Sequence, residues 1–406
     1  MTWMYTTSAL VLVLVALLPL ILWRILSLLL RRGCQVARNP HCKLQSVVVL
    51  GSGGHTAEMF FDLATLAEVW RERFSPTYIV ADTDKGSHAK AEEFEKRYGN
   101  SPANVLRIPR AREVGQSYVT SVFTTLFACI FSFKTILMNP PDIVFTNGPG
   151  TCVPIVCAAY FARMLGIKHV LVVYSESFAC VEHLSVSGKL LYHFADCFTV
   201  QWPELLEKCP HATYAGRLQP GELPALVGAE STMHGTATAI VTVGSTQFDG
   251  LIRAVDRPEF LHFLKRFKIK RLQVQRGKGS YRPWNLVDSN HSLEHQLEVE
   301  VVDYLPDLPS HLRKAALVVS HAGAGTILDC LTAGRRLVVV PNEELMANHQ
   351  IQLGIALQQR NLLFCFRSGE LLNKLQEADF NALCRFPEQN SPVFKKRVCE
   401  LLGLVP

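Results

Sequence analysis

The sequence predicts an α/β protein of two Rossmann-like domains facing a cleft, preceded by one N-terminal transmembrane helix. Three observations predict it. The chain begins with a long apolar run, continues as short β-branched runs alternating with amphipathic stretches, and restarts that alternation after a linker rich in glycine and proline. With 406 residues, 49% of them hydrophobic, the chain suits two domains and can build two cores. The expected divisions are an anchor at 1–32, a first domain at 44–216, a linker at 217–238 and a second domain at 239–406.

Beyond Ser8 itself, the stretch Ser8–Leu30 is apolar except for Arg24 and Ser27. At ~1.5 Å per residue it reaches about 35 Å, enough for a hydrocarbon core of ~30 Å. No basic segment precedes it and no small-residue cleavage site follows, which argues against a removed signal peptide. The flanking cations Arg31, Arg32, Arg38 and Lys43 all lie on the C-terminal side, so the positive-inside rule places the body in the cytosol. Arg24 is close enough to that side to snorkel. These four cations and Arg24 supply five of the six net charges. The body is therefore nearly neutral, unlike a nucleic-acid binder. Twelve cysteines show no CxxC pair or zinc spacing. Cys129, Cys152, Cys157 and Cys330 sit in apolar runs, which reads as a reducing compartment and no structural metal.

In the first domain the strand-like runs are Ser46–Leu50, Thr77–Val80, Val105–Ile108, Asp142–Thr146, His169–Val173 and Cys197–Val200. Helix-like stretches lie near Thr56–Arg73, Ser87–Tyr98, Ser117–Met138, Cys152–Leu165 and Ser185–Ala195. Val119–Met138 is apolar enough to touch a membrane, and is expected to be an interior helix. Pro220, Gly221, Pro224, Gly228 and Gly235 mark the linker. Ala239–Val243, Arg271–Gln275, Leu297–Val301, Leu317–Ser320, Leu337–Val340 and Leu362–Phe366 are the strands of the second domain. In such sheets ligands bind at the C-terminal ends of the strands.

Three strand-to-helix turns of small residues carry the chemistry. Gly51-Ser52-Gly53-Gly54-His55-Thr56 offers close backbone approach and free amides to an anion, although it is neither a GxGxxG fingerprint nor a Walker loop. His55 there is either a general base or a polar residue of the helix start. Val243-Gly244-Ser245-Thr246 and Ser320-His321-Ala322-Gly323-Ala324-Gly325-Thr326 repeat the design in the second half, suited to a diphosphate and a sugar. Asp329, one turn into the following helix, is placed to take two adjacent hydroxyls. The polar run Asn342–Gln350, ending Asn348-His349-Gln350, can hydrogen-bond the hydroxyl and acetamide groups of a sugar. Asp82-Thr83-Asp84 is either a metal-holding pair or a polar strand-end turn. Helix N-termini can neutralise a diphosphate without metal, and no metal or other cofactor is expected. The cations between Lys265 and Arg282 are either a solvated surface or an attraction for anionic lipid.

These motifs match a known family. From about Ser46 to Arg217 the chain resembles the membrane-anchoring, acceptor-binding subunit of the dolichol-pathway enzyme that adds the second N-acetylglucosamine. The resemblance rests on Gly51–Glu58, Pro109–Tyr118, Asn147–Thr151, Tyr174–Ser177, Leu184–Lys189 and Val200–Pro203. From about Ala239 to Leu363 it resembles the donor-binding subunit of the same enzyme, through Val241–Asp249, Ser320–Thr326 and Asn342–Gln350. The chain thus looks like a natural fusion, acceptor half first. The same order occurs in the bacterial lipid-linked muramoyl-pentapeptide N-acetylglucosaminyltransferases, whose architecture is called GT-B. Three positions depart from the pattern: Cys180 stands where an Arg is usual, and Asp329 and Gln352 where a Glu is usual.

The resemblance implies an inverting glycosyltransferase that moves N-acetylglucosamine from UDP-N-acetylglucosamine to N-acetylglucosaminyl-diphosphodolichol. The diphosphate of UDP is assigned to the turns Gly244–Thr246 and Gly323–Thr326 with His321, the ribose to Asp329, and the transferred sugar to Asn348, His349 and Gln350. His55 is preferred over Glu176 as the base. The acceptor diphosphate is assigned to Gly51, Ser52, Gly53 and Gly54 with Arg110 or Arg112. The implied location is the endoplasmic reticulum membrane, single-pass, with the body on the cytosolic face. The preceding dolichol-pathway transferase is a further expected partner; nucleic acid is not. Two other classes stay open: a sugar-nucleotide epimerase of the same architecture, and a non-catalytic membrane scaffold.

Overall fold

The computed structural model describes residues 19, 22–28, 42–84, 86–99, 102–112, 116–216, 218, 223–226, 237–244, 246–289, 297–343, 349–387 and 392–404. Most of the Ser8–Leu30 anchor and of the 217–238 linker lies outside them. The chain divides into two compact units.

The first unit holds a seven-stranded sheet in the order β3-β2-β1-β4-β5-β6-β7. Its strands are β1 (Leu44–Leu50), β2 (Phe74–Ala81), β3 (Asn104–Ile108), β4 (Ile143–Asn147), β5 (Leu171–Ser175), β6 (Cys197–Val200) and β7 (Thr213–Tyr214). Every pairing is parallel. Parallel strands need crossovers, and helices supply them: α1 (Gly54–Ala64), α2 (Ala67–Arg73), α3 (Ser87–Tyr98), α4 (Tyr118–Met138), α5 (Cys152–Met164) and α6 (Val186–Leu191). Central strands such as β4 are buried throughout, which is why they read as continuous apolar runs rather than alternating ones. The helical stretch expected at Thr56–Arg73 is two helices, broken where the Thr65 and Leu66 amides bond to the Asp62 and Leu63 carbonyls.

The second unit repeats the pattern with six strands in the order β10-β9-β8-β11-β12-β13, again all parallel. These are β8 (Thr238–Thr242), β9 (Arg271–Gln275), β10 (Glu298–Val302), β11 (Leu317–His321), β12 (Arg336–Val340) and β13 (Phe364–Cys365). Two helices matter below, α7 (Ala324–Thr332) and α8 (His349–Gln358).

In both sheets the strand order reverses beside the first strand, between β1 and β4 and between β8 and β11. At such a switch point the loops leave in opposite directions and open a crevice at the carboxyl ends of the strands.

Three findings differ from the sequence reading. The last helix, α9 (Pro392–Leu402), belongs to the first unit, where Phe394, Val398, Leu401 and Leu402 pack with Leu44, Phe74 and Phe145. The second domain was expected to run unbroken to residue 406. Helix α4 is not an interior helix: Val119, Phe123 and Ile130 are 76%, 74% and 67% exposed. Its apolar composition reads as a core helix, and composition alone does not show which of its side chains the domain covers. Cys157 is exposed, whereas Cys152 and Cys330 are buried as expected.

Candidate functional site

In the first unit the register places Asn147 of β4 beside Ser175 of β5, with β1 ending at Leu50 on the other side of β4. The turn Gly51–Gly54, the turn Gly148–Thr151 and Glu176 therefore emerge side by side. His55 opens α1 at this point. Its backbone carbonyl accepts from Asn147 Nδ2 at 2.7 Å, which ties the helix start to the end of β4. The imidazole lies over the backbone of Gly148, where a Cβ would meet His55 Cε1 at 2.8 Å. The residue at 148 must therefore lack a side chain for the ring to hold this position.

Glu58, one turn along α1, brings Oε2 to 3.4 Å from His55 Nδ1, while its Oε1 accepts from Ser177 Oγ at 3.0 Å. Burial alone would make the imidazole less basic, but the hydrogen-bonding and charge of Glu58, with the charge of Glu176, outweigh it. The net effect raises the pKa of His55. With a side chain 37% exposed, the ring still reaches solvent.

Glu176 is differently placed. Its Oε1 accepts from the Ser177 amide at 2.9 Å, and its Oε2 accepts from the amide and hydroxyl of Ser185 at 3.0 and 3.1 Å. Burial pushes its carboxyl up against those three donors, and its residue is 2% exposed. It holds the loop 176–185 to the start of α6, with at least one donor already on each oxygen.

Arg110 donates to Ser52 Oγ at 2.8 Å and to Thr83 Oγ1 at 3.1 Å, so its guanidinium lies beside the Gly51–Gly54 turn as expected. Arg112 donates twice to the carbonyl of Gln116 and faces Gly150. The two aspartates of the Asp82–Asp84 run have separate structural duties. Asp84 is buried and accepts from the amides of Gly86 and Ser87 and from Ser87 Oγ, which starts α3. Ser87 Oγ in turn reaches Thr56 and the Gly51 carbonyl, so this network shapes the floor of the glycine turn. Asp82 accepts from the Thr83 amide at the exposed strand end.

In the second unit the turns after β8 and β11 meet at the switch point around His321. A Cβ on Gly244 would meet His321 Cε1 at 2.7 Å, and one on Gly323 would meet Nε2 at 2.4 Å. Gly244 also has φ +65°, a left-handed conformation that favours glycine. Burial drives the pKa of His321 down to about 4, so the ring is neutral near pH 7 and acts as a wedge between the turns rather than a cation. Gln275 completes the support: its Nε2 donates to the Gly244 carbonyl at 2.6 Å and its Oε1 accepts from the Leu305 amide.

Helix α7 begins at this site with Gly323 as its N-cap, no capping side chain and no acidic residue in its first turn. Its first amides and positive end, carried by Ala324, Gly325 and Thr326, suit a diphosphate. Asp329 follows, partly exposed, on the same helix. Gln350, in the first turn of α8, accepts from the Asn342 amide at 3.4 Å. Ser245, Asn348 and the side chain of His349 lie outside the described residues. Of the basic run, Arg271 pairs with Glu298 and Glu300 and Arg276 with Asp303, partners supplied by or just after the neighbouring strand β10 and distant in sequence.

Sequence reasoning assigned no role to Glu58 and Gln275. Glu58 had a signal, its i,i+3 spacing from His55 on a helix. Gln275 had none, since its two bonds join loops that only the folded sheet brings together.

Residues 46–218 match the family described as oligosaccharide biosynthesis protein Alg14 like, and residues 238–399 match the glycosyltransferase family 28 C-terminal domain. The human UDP-N-acetylglucosamine transferase subunit ALG14 is 46% identical over 187 residues, which is 44% of this chain and 85% of that protein. Among solved structures, a putative UDP-N-acetylglucosamine 2-epimerase from Listeria monocytogenes aligns with TM-score 0.59 at 13% identity, over 89% of this chain and 96% of that one. Acinetobacter baumannii MurG aligns with TM-score 0.55 at 15% identity, over 88% and 95%. At such identities the two structures establish the shared two-domain fold. The chain belongs to the Alg14 family, and a glycosyltransferase family 28 C-terminal domain follows the Alg14 half in the same polypeptide.

Proposed function

We propose that this protein transfers N-acetylglucosamine from UDP-N-acetylglucosamine to N-acetylglucosaminyl-diphosphodolichol with inversion at the anomeric carbon. One observation carries the reading: the Alg14 half and the family 28 half are joined in one chain, each with its glycine turns at a switch point. The acceptor sugar hydroxyl attacks the anomeric carbon, the bond to the UDP β-phosphate breaks, and UDP leaves with the electron pair. The hydroxyl proton passes to His55 Nε2. Glu58, facing Nδ1, holds the ring and stabilises the imidazolium that forms. His55 is favoured over Glu176 because its side chain reaches solvent, while Glu176 is buried with a donor on each oxygen.

On the donor side, the amides around Gly244–Thr246 and Gly323–Thr326 meet the charge that develops on UDP. Asp329 takes the ribose, and Asn348, His349 and Gln350 take the sugar. Arg110, Arg112 and the Gly51–Gly54 turn receive the acceptor diphosphate. The 1–32 segment is a single-pass anchor in the endoplasmic reticulum membrane, with the body cytosolic beside the preceding transferase.

The epimerase reading has one observation in its favour, an alignment to the Listeria structure at least as good as that to MurG. The Alg14 match weighs against it. Purified full-length protein given radiolabelled UDP-N-acetylglucosamine decides among the classes. Disaccharide-lipid formed only when lipid-linked N-acetylglucosamine is added supports the transferase. A 2-epimeric nucleotide sugar formed without acceptor shows an epimerase, and donor binding without turnover shows a scaffold.

A further inference from the structure

The loop between β5 and α6 is held in one place at its feet and in another at its crown. Its feet, Ser177 and Ser185, are both tied to the Glu176 carboxylate, one oxygen to each. The crown leaves them. Ser177 and Leu184 belong to the first unit, but Phe178–His183 packs as part of the second. There the Phe178 ring meets Phe386 edge-on with centroids 6.3 Å apart, and Gln352 of α8 donates to Glu182 at 3.1 Å. Phe178, Cys180 and Val181 are buried, so close packing fixes the crown as well as that bond.

Ser177 stands at the foot where the crown begins. Its Oγ donates to Glu58 Oε1 at 3.0 Å, and both residues are buried. A glutamate side chain turns about three torsions, the last of them broad, so burial alone does not aim its carboxylate. The hydroxyl of Ser177 takes one oxygen and leaves the other, Oε2, facing His55 Nδ1 at 3.4 Å. We infer that Ser177 is a positioning residue: it aims Glu58 at His55, and its own place is set from the second unit through the anchored segment Phe178–Glu182.

The magnitudes suit such a link. Ser177 and the Phe178 anchor are joined by a single peptide, and a hydrogen bond is lost once its heavy atoms separate to about 3.6 Å. A displacement of a few tenths of an ångström at Phe178 is therefore enough to release Glu58. Helix α8 also carries Gln350, assigned above to the transferred sugar, two residues before Gln352. The helix that takes the donor sugar thus also holds the crown of the loop that aims the base.

This role rests on the reading of His55 as the base, and its test fails separately from that reading. Burial lowers the basicity of the ring, while Glu58 on its own helix and Glu176 at the end of β5 raise it; Arg110 lies beside the preceding turn. Ser177, Gln352 and Phe386 are neutral, so replacing them alters no charge, and a changed ring titration reports a changed distance. The full chain, carrying isotope-labelled histidine in detergent micelles, is titrated by NMR, with the His55 signal identified by its loss in His55→Ala. In Ser177→Ala the midpoint should move down by about 0.5 or more. Its kcat should fall roughly 10–100-fold with UDP affinity within about twofold of the parent. Ser177→Thr, which keeps the hydroxyl, should recover most of both losses. Phe386→Ala should move the midpoint the same way, and Gln352→Ala, at a bond on the surface where folding is not at stake, should do so to a smaller extent. An unmoved midpoint in folded Ser177→Ala would overturn the positioning role. A midpoint that moves in Ser177→Ala but in neither folded anchor variant would overturn the link to the second unit. A midpoint that moves while kcat holds would support the positioning and remove His55 as the base instead.

Discussion

The Nδ1 atom of His55 faces Oε2 of Glu58 across 3.4 Å, one turn apart on a helix that starts at the switch point of the first sheet. A base must be neutral to accept a proton, and the Glu58 carboxylate raises the pKa of His55, the proposed base, above its ordinary 6.5. The acidic limb of kcat/KM against pH should therefore lie above 6.5. In Glu58→Gln it should move down, with kcat reduced by roughly 10–100-fold, since the ring loses its orienting charge. His55→Ala should cost ~10²–10⁴-fold in kcat with UDP affinity nearly intact. An unmoved limb in Glu58→Gln would remove Glu58 from the mechanism.

The same pair makes stability depend on pH. A group whose folded pKa is raised contributes stability that is complete below its unfolded pKa and is lost as pH rises through the folded value. For His55 that loss should appear above about 6.5. Urea midpoints measured from pH 6 to 8 should decline more steeply in the parent than in Glu58→Gln.

Glu176→Gln tests the other carboxylate. The substitution removes the charge that three donors share, and one amide hydrogen must point at them. Stability should fall by ~1–3 kcal/mol, while kcat at a temperature well below unfolding stays within about tenfold of the parent. A collapse of kcat in a fully folded variant would make Glu176 the base and leave His55 to the acceptor diphosphate.

His321 should couple the two donor turns. Gly323→Ala places a Cβ on the imidazole, and UDP affinity measured by calorimetry should fall by roughly tenfold or more, as overpacking typically costs ~1–3 kcal/mol. Adding His321→Ala should restore part of the loss, because the clash partner is gone. If the double variant binds no better than the sum of the single losses, the turns are not coupled through this ring.

Asp84→Asn should lower thermal stability, since its carboxylate starts α3 and supports Ser87 beneath the glycine turn. Asp82→Asn should leave stability nearly unchanged. Saturating EDTA should leave most activity. Complete loss in EDTA, restored by manganese or magnesium, would make the pair a metal site.

Much of the fold was legible because a parallel sheet buries its strands on both faces. Runs such as Ile143–Asn147 and Leu317–His321 are nearly continuous apolar segments bounded by small residues, and turns that need glycine announce themselves at Gly51–Gly54 and Gly323–Gly325. The helix start at His55 was legible for the same reason. Glu176 was visible as a polar residue at a strand end, but its saturation by Ser177 and Ser185 was not, because Ser185 is nine residues away on a returning loop.

The sequence alone determined the two α/β halves, their order and the glycine turns at the strand ends, since these follow from local periodicity and from the conformational demands of single residues. Tertiary structure decided what depends on distant partners. It set the strand order that brings the Gly51 and Gly148 turns together, the return of Pro392–Leu402 to the first unit and the wedge of His321 between two glycines. It also decided which way α4 faces. An apolar helix has the same composition whether protein or lipid surrounds it, and only the packing of Ser121, Ala128 and Ser132 inward leaves Phe123 and Ile130 outside.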